Sequence, residues 1–180
     1  MISIWEVKNG LWAMISNKII ISGFMGSGKS AVAKKLHELY GYSFVDLDQE
    51  IEKKEKLKIN DIFTTKGEKH FRRVERDILS DVLDRDVDVI ALGGGTLNNT
   101  FLLDLVLSYK NCYYLKTKFE TLWKRIHNTD RPLVKEGHDR ALDLFNFREK
   151  YYNLLHHTII TDDSSIKEIA EEIKWSIDDG

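Results

Sequence analysis

The chain contains very little cysteine and very little proline. Its 180 residues include one cysteine, Cys112, and one proline, Pro132. A single cysteine cannot form an internal disulfide bond, which is typical of proteins kept in a reducing compartment. Cys112 opens the apolar run CYYL, and free cysteines are among the most buried residue types. We therefore expect Cys112 to be a buried and unreactive strand residue.

Long apolar runs and an excess of one charge are also missing. No stretch approaches the roughly 20 apolar residues that a membrane-spanning helix needs. Lys and Arg total 27 and Asp and Glu total 29, so the formal net charge is −2. This balance gives no reason to expect a nucleic acid or an anionic membrane as a partner. Any anionic ligand must then be met by cations that the fold places locally.

The N-terminal residues differ both from a secretory signal peptide and from the rest of the chain. No basic region leads them and Glu6 interrupts them, so we predict a cytoplasmic protein. We also expect the protein to be a monomer. The opening triplet MIS is repeated at Met14, and the first convincing strand follows shortly after it. We therefore treat residues 1–17 as an N-terminal extension, with Met14 as an alternative start of translation. Residues 18–180 have the length of one compact domain.

Short β-branched runs alternate with longer stretches of helical periodicity along this domain. The predicted strands are residues 18–22, 43–47, 87–92, 111–115 and 156–160. Such alternation is typical of an α/β fold with a mostly parallel sheet. We predict a five-stranded sheet with helices packed on both faces, in three layers.

Local signals mark one helix start and one loop. Thr65 and Glu68 have the spacing of a capping box, which predicts a helix beginning at Thr65. Apolar residues then recur at helical spacing, so one face of this helix should be buried. These residues are Phe71, Val74, Ile78, Val82 and Leu83. Pro132 lies in the polar stretch 128–140, which we predict to be an exposed loop.

The segment from Gly23 to Ser30 reads GFMGSGKS and matches the pattern GxxxxGK[ST]. Its glycines let the loop turn tightly so that its amides face phosphate oxygens, and the N-terminus of the following helix favours an anion. Lys29 would place a cation on the β- and γ-phosphates, and the Ser30 hydroxyl can bind Mg²⁺. The alternative is a glycine-rich turn with an incidental lysine. An apolar strand before the motif and a helical pattern after it favour a nucleotide-phosphate site.

Three further features predict a second ligand beside this loop. Asp46 and Asp48 close the second strand, where alternation would put both carboxylates on one side, facing the crevice at the carboxyl edge of the sheet. One could hold Mg²⁺ through water and the other could accept a hydrogen bond from an attacking hydroxyl, although helix capping is a competing explanation. The other features are Arg72, near a helix start, and three glycines at 93–95. Taken alone, Arg72 could be solvated and the glycines could form a flexible turn.

Taken together, these motifs resemble those of the shikimate kinase family. They follow that family's order and approximate spacing over about residues 18–177. The matching segments are residues 23–30, Asp46-x-Asp48, FRxxE at 71–75, GGG at 93–95, RPL at 131–133 and RxxY at 148–151. The resemblance implies a P-loop kinase domain with a small lid. It also implies that ATP, with Mg²⁺, phosphorylates the 3-hydroxyl of shikimate in the route to chorismate and the aromatic amino acids.

The resemblance implies a role for each matching residue. The ATP phosphates would be held by Gly26, Ser27, Gly28, Lys29, Ser30 and Ala31. Ser30 and Asp46 would lie at Mg²⁺, Arg125 beside the adenine, and Arg131 on the lid, reaching the phosphates. Shikimate would be held by Asp48, Arg72, Gly94 and Arg148. The catalytic residues would be Lys29, Asp48 and Arg131.

Other functions stay open at this point. A kinase for another small hydroxy-acid, such as gluconate, would use the same combination of cations and carboxylates. An adenylate-kinase-like enzyme is a weaker alternative, because a nucleotide acceptor would not need Asp48, Gly94 and Arg148 together. A non-catalytic nucleotide-binding regulatory module would have little need to keep four residues together: Lys29, Ser30, Asp46 and Asp48. The preference for ATP over GTP is implied by the resemblance alone.

Overall fold

The computed structural model of the chain describes residues 17–129 and 132–179. Five strands form one parallel sheet in the order β2-β3-β1-β4-β5. Their bounds are β1 Ile19–Ser22, β2 Phe44–Asp46, β3 Val89–Ala91, β4 Asn111–Lys116 and β5 His157–Ile160. The predicted parallel α/β sheet is confirmed, with each strand close to its predicted position.

The central strand β1 is buried along its whole length. It pairs with β3 on one side and with β4 on the other, so that Ile20 lies beside both Ile90 and Cys112. A parallel strand covered on both faces needs apolar side chains in both directions. The uninterrupted run of Ile19, Ile20 and Ile21 satisfies this need.

Helices connect the strands and cover both faces of the sheet. Their bounds are α1 Lys29–Tyr40, α2 Leu47–Glu55, α3 Ile59–Asp84, α4 Thr100–Leu107, α5 Phe119–Ile126, α6 Pro132–Lys135, α7 His138–Tyr152 and α8 Ile166–Asp178, with a 3₁₀ turn at Thr96–Asn98. Side chains of α1 and α8 pack on the face that carries Ile19 and Ile21. Side chains of α3, α4, α5 and α7 pack on the face that carries Ile20 and Cys112. The three-layer prediction is therefore confirmed.

The start of α3 differs from the prediction at Thr65. The helix begins at Ile59, and Gly67 interrupts it with φ 79° and ψ 166°. The Thr65 hydroxyl donates to the carbonyl oxygen of Asp61, one turn earlier, as a threonine inside a helix does. The capping-box prediction was wrong because a glycine, rather than a cap, divides this helix. The predicted buried face after Gly67 is confirmed.

The predicted loop at 128–140 is partly helical. Within it, α6 begins at Pro132 and α7 begins at His138, after a turn at Gly137 with φ 95°. Proline suits the first turn of a helix, because the N–H that it lacks would be unpaired there. Most of the N-terminal extension assigned from the sequence lies outside the described residues. No helix within the described ranges is long and apolar enough to cross a bilayer.

The environment of Cys112 makes its reactivity testable. Its side chain is fully buried, its thiol donates to the carbonyl oxygens of Val106 and Tyr109, and burial raises the pKa of the thiol to about 12. Because the thiolate is the nucleophile, we expect no alkylation of the native protein by iodoacetamide at neutral pH. Urea-unfolded protein should gain one adduct, measured by intact mass. Equal labelling of the two states would contradict the structure.

Candidate active site

The loop after β1 wraps tightly between the sheet and α1. Gly23, Gly26 and Gly28 have φ values of 146°, 84° and 95°, and Gly28 is the N-cap of α1. A Cβ at Gly26 would lie 2.8 Å from Ile126 Cγ2, and one at Gly23 would lie 2.9 Å from a backbone oxygen of β4. Only glycine fits these positions. The loop therefore has the backbone conformation in which amides at a helix N-terminus surround an anion.

The lysine of the motif lies across this loop. Lys29 Nζ donates to the carbonyl oxygens of Gly23 at 2.8 Å and Phe24 at 3.1 Å. The remaining predicted phosphate contacts lie on the same short segment. Ser27 is buried and donates its amide to Phe24, while Ser30 and Ala31 are exposed on the first turn of α1. The structure thus brings together the whole predicted phosphate-binding set on residues 26–31.

A hydroxyl and a carboxylate meet beside the loop. Ser30 Oγ donates to Asp46 Oδ2. Asp46 ends β2 and caps α2, where its other oxygen accepts from the amide of Gln49 at 3.2 Å. Oxygen ligands of these two kinds suit Mg²⁺, which usually takes one or two protein ligands and completes its shell with water and phosphate oxygens. The residues present therefore fit the predicted metal.

The position of Asp48 corrects the sequence argument. Strand β2 ends at Asp46, so Asp48 lies in the first turn of α2 and strand alternation does not place it. The helix turn still brings it to the site, because β2 is the neighbour of β3. A Cβ at Gly93, just after β3, would lie 2.6 Å from Asp48 Oδ1. The Asp48 carboxylate therefore lies directly against the glycine turn.

The glycine turn at 93–95 also touches the phosphate loop and two arginines. A Cβ at Gly94 would lie 3.5 Å from the amide nitrogen of Met25. A Cβ at Gly95 would lie 2.9 Å from Arg148 Nη2 and 3.0 Å from Arg72 Nη2. The two guanidinium groups come from α7 and α3, and they converge on one glycine. The predicted acceptor residues are therefore together, and they adjoin the phosphate loop.

The two arginines differ in how their charge is balanced. Arg72 Nη1 donates to the buried carboxylate of Glu75 at 2.8 Å. Arg148 has no carboxylate within 4.0 Å in the described part of the chain, and its buried Nε has no hydrogen-bond partner there. Burial lowers the pKa of the Arg148 guanidinium and Arg72 lowers it further, while Tyr152, Glu75 and Asp48 oppose the shift. This corner of the site is therefore suited to an anion.

The sequence analysis did not identify two residues that support the arginines and the glycine turn, Thr96 and Tyr152. Thr96 Oγ1 donates to Glu75 Oε1 at 2.7 Å, and both residues are buried. Tyr152 donates its hydroxyl hydrogen bond to the carbonyl oxygen of Gly94. The sequence motif had included Tyr151, which instead packs against Phe147. The spacing of four from Arg148 to Tyr152, one helical turn, was the signal available.

Of the two arginines predicted to contact the nucleotide, the structure describes only Arg125. Arg125, on α5, is exposed and donates from Nη1 to the carbonyl oxygen of Gly26 at 3.1 Å. It therefore lies at the edge of the phosphate loop. Arg131, the predicted lid arginine, lies outside the described residues, and its role stays a prediction.

Comparison with known proteins assigns this arrangement to a family. The family model described as shikimate kinase matches residues 25–178. The chain belongs to the shikimate kinase family. It is 38% identical to the shikimate kinase of Sulfurihydrogenibium sp. (strain YO3AOP1), over 88% of this chain and 96% of that protein. It is 39% identical to the shikimate kinase of Persephonella marina, over 86% and 95%.

Solved structures of shikimate kinases agree with this assignment. The shikimate kinase from Acinetobacter baumannii, in complex with shikimate, superposes with a TM-score of 0.84 at 31% identity, covering 95% of this chain and 97% of that one. The enzyme from Aquifex aeolicus superposes with a TM-score of 0.76 at 31% identity, covering 90% and 96%. Family membership makes the chain a phosphotransferase with a P-loop fold that uses ATP and an alcohol acceptor.

Two glycines at opposite ends of α1 provide a matched test of the phosphate loop. Alanine at Gly28 or at Gly41 would be forced to a positive φ, 95° or 74°, at a cost of roughly 1–2 kcal/mol. Only Gly28 lies in the phosphate loop. We expect Gly28→Ala to weaken ATP binding about tenfold or more, measured by calorimetry, and Gly41→Ala to bind ATP normally. A similar loss of affinity in both variants would attribute the effect to destabilisation of α1.

Proposed function

We propose that the chain transfers the γ-phosphoryl group of ATP to the 3-hydroxyl of shikimate, producing shikimate 3-phosphate and ADP. The observation that carries this proposal is the pair of guanidinium groups at Gly95, of which Arg148 lacks an ion-pair partner among the described residues. The Asp48 carboxylate lies on the same glycine turn. An acceptor with one carboxylate and several hydroxyls matches both features.

The acceptor carboxylate would bind between Arg72 and Arg148. A guanidinium group presents a rigid fork of N–H donors that matches a planar carboxylate better than an ammonium group does. Arg72 is fixed through Glu75, and Arg148 emerges from the buried side of α7. The bound anion would offset the repulsion between the two cations, which is strongest when no ligand is present.

The hydroxyl groups of the acceptor would bind at Asp48 and at the backbone of Gly94. Asp48 Oδ1 lies against Gly93, and Gly94 lies against the phosphate loop at Met25. A hydroxyl held there would be beside the γ-phosphoryl group of a nucleotide in that loop. Asp48 would orient this hydroxyl and accept a hydrogen bond from it, as in-line phosphoryl transfer requires.

The charge of the transferring group would be offset from the nucleotide side. Lys29 lies across the loop where the β- and γ-phosphates would bind. Ser30 would be a direct ligand of Mg²⁺, and Asp46 would hold it through water. When bound, Mg²⁺ supplies positive charge to the phosphate oxygens. Arg131 would add a second cation from the lid, whose closure would keep water from competing as the acceptor.

A coupled ADP-release assay tests the acceptor. Shikimate, gluconate and AMP would be offered separately with ATP and Mg²⁺, and we expect rapid turnover with shikimate alone. Lys29→Ala is the negative control and should lower kcat roughly 10²-fold or more, because it removes charge stabilisation of the transferring group. Preferred turnover of gluconate or AMP would overturn the proposed acceptor. No turnover with any acceptor, despite ATP binding, would favour a regulatory module.

Alanine at Gly95 tests whether the two guanidinium groups form the acceptor site. The φ of Gly95 is −112°, which alanine adopts readily, but its Cβ would displace both guanidinium groups. We expect the KM for shikimate to rise roughly tenfold or more, while the KM for ATP and the melting temperature change little. Arg72→Ala should act in the same direction.

The double variant distinguishes a shared site from two separate effects. If Gly95→Ala and Arg72→Ala both act through the position of the same guanidinium group, their effects on the KM for shikimate will combine to less than their product. An increase confined to the KM for ATP would contradict the acceptor assignment. The cytoplasmic location, the monomeric state and the absence of nucleic-acid and membrane partners stay predictions.

A further inference from the structure

The glycine turn at 93–95 is stabilised by two backbone hydrogen bonds from the residues that follow it and by one hydrogen bond from a distant side chain. The carbonyl oxygen of Gly93 accepts from the amide of Thr96, and that of Gly95 accepts from the amide of Asn98, each at 3.2 Å. The carbonyl oxygen of Gly94 instead accepts from the hydroxyl of Tyr152, at the end of α7. Three consecutive glycines have no side chains to restrict their peptide planes. The orientation of the Gly94–Gly95 peptide therefore depends on the tyrosine.

Tyr152 itself is firmly placed. Its side chain is 1% exposed, and its ring packs against that of Tyr114 on β4 with centroids 5.1 Å apart. Burial raises the pKa of Tyr152 well above its ordinary range. The hydroxyl therefore keeps its proton at neutral pH and remains a donor to Gly94. The sheet, through Tyr114, supports the contact.

The same helix carries Arg148 one turn before Tyr152. Both residues contact the glycine turn, since a Cβ at Gly94 would lie 3.6 Å from Arg148 Nη1. The hydroxyl of Tyr152 thus joins the helix that carries one acceptor group to the turn that carries the other. A change in this hydrogen bond would alter the spacing between Arg148 and the backbone of Gly94.

We propose that Tyr152 is a positioning residue for the acceptor, which sets the distance and orientation between the Gly94 backbone and the Arg148 guanidinium. This inference rests on the proposed function of these two groups. Its hydroxyl bonds to the carbonyl oxygen of Gly94 and its ring packs on Tyr114, so it acts on acceptor binding rather than on nucleotide binding.

The test is Tyr152→Phe, with Tyr151→Phe as the matched control. Phenylalanine keeps the ring against Tyr114 and removes only the hydroxyl, whereas the ring of Tyr151 packs against Phe147 and lies under Lys150. We expect Tyr152→Phe to raise the KM for shikimate roughly five- to twentyfold and to leave the KM for ATP unchanged. Tyr151→Phe should match the wild type in both constants.

Hydrogen exchange of the protein without ligand gives a second readout. Peptides covering residues 93–98 should exchange faster in Tyr152→Phe than in the wild type or in Tyr151→Phe, because the turn has lost its outside hydrogen bond. An unchanged KM for shikimate with unchanged exchange would overturn the proposal. A lower melting temperature with equal increases in both KM values would show a merely structural role and would also overturn it.

The same experiments separate this inference from the proposed function. If the wild type turns over gluconate and not shikimate, the acceptor assignment fails, and the two variants are compared with gluconate instead. A selective rise in the KM for the true acceptor would then still support Tyr152 as a positioning residue. If no acceptor is turned over, the exchange of residues 93–98 decides the question, and unchanged exchange overturns the proposal.

Discussion

The partly buried guanidinium group of Arg148 carries a positive charge that the rest of the site has to balance. An arginine stays charged in a protein, so its burial carries a desolvation cost that nearby negative charge and hydrogen bonds offset. Glu75 and Asp48 oppose the lowering of its pKa, but neither forms an ion pair with it, and Arg72 adds a second positive charge. The fold thus leaves a partly compensated cation beside a glycine turn. The proposed anionic acceptor would complete the compensation, so that its binding and the charge balance of the site would be coupled.

The order of the strands explains how distant segments reach this point. The strands β2, β3 and β1 are neighbours, and all run in one direction, so their carboxyl ends share one edge of the sheet. Asp46 and Asp48 lie at the end of β2, the glycine turn follows β3, and the phosphate loop follows β1. These are the proposed metal, acceptor and nucleotide groups. Gly94 is the junction, because a Cβ there would meet both Met25 of the phosphate loop and Arg148. The absence of a side chain lets the donor and acceptor sites touch.

The sequence predicted those features that depend on local pattern and missed those that depend on contacts between distant segments. The five strands and the phosphate loop follow from residue spacing alone, as does the buried face around Phe71. Asp48 was assigned to the site by a strand argument that fails, since β2 stops at Asp46 and a helix turn positions it instead. The capping box at Thr65 was wrong for a similar reason, since Gly67 breaks the helix. No local pattern shows that Thr96 bonds to Glu75. The spacing of one helical turn from Arg148 favours Tyr152 over Tyr151, but it does not show that the Tyr152 hydroxyl bonds to Gly94.

The proposed phosphate-binding and acceptor-binding parts of the site differ in how much they depend on backbone and on side chains, and this difference bears on substrate specificity. The proposed phosphate side depends mainly on backbone, because positive φ values and close neighbours exclude side chains at Gly23 and Gly26. Lys29 and Ser30 would add a charge and a hydroxyl to groups that all nucleotides share. The proposed acceptor side combines the backbone of Gly94 with side chains from α2, α3 and α7, and hydrogen bonds hold Arg72, Glu75 and the carbonyl of Gly94. A change of acceptor is therefore accessible through Arg72, Glu75 and their supports. A change in the phosphate loop would instead remove nucleotide binding, and with it every activity of the chain.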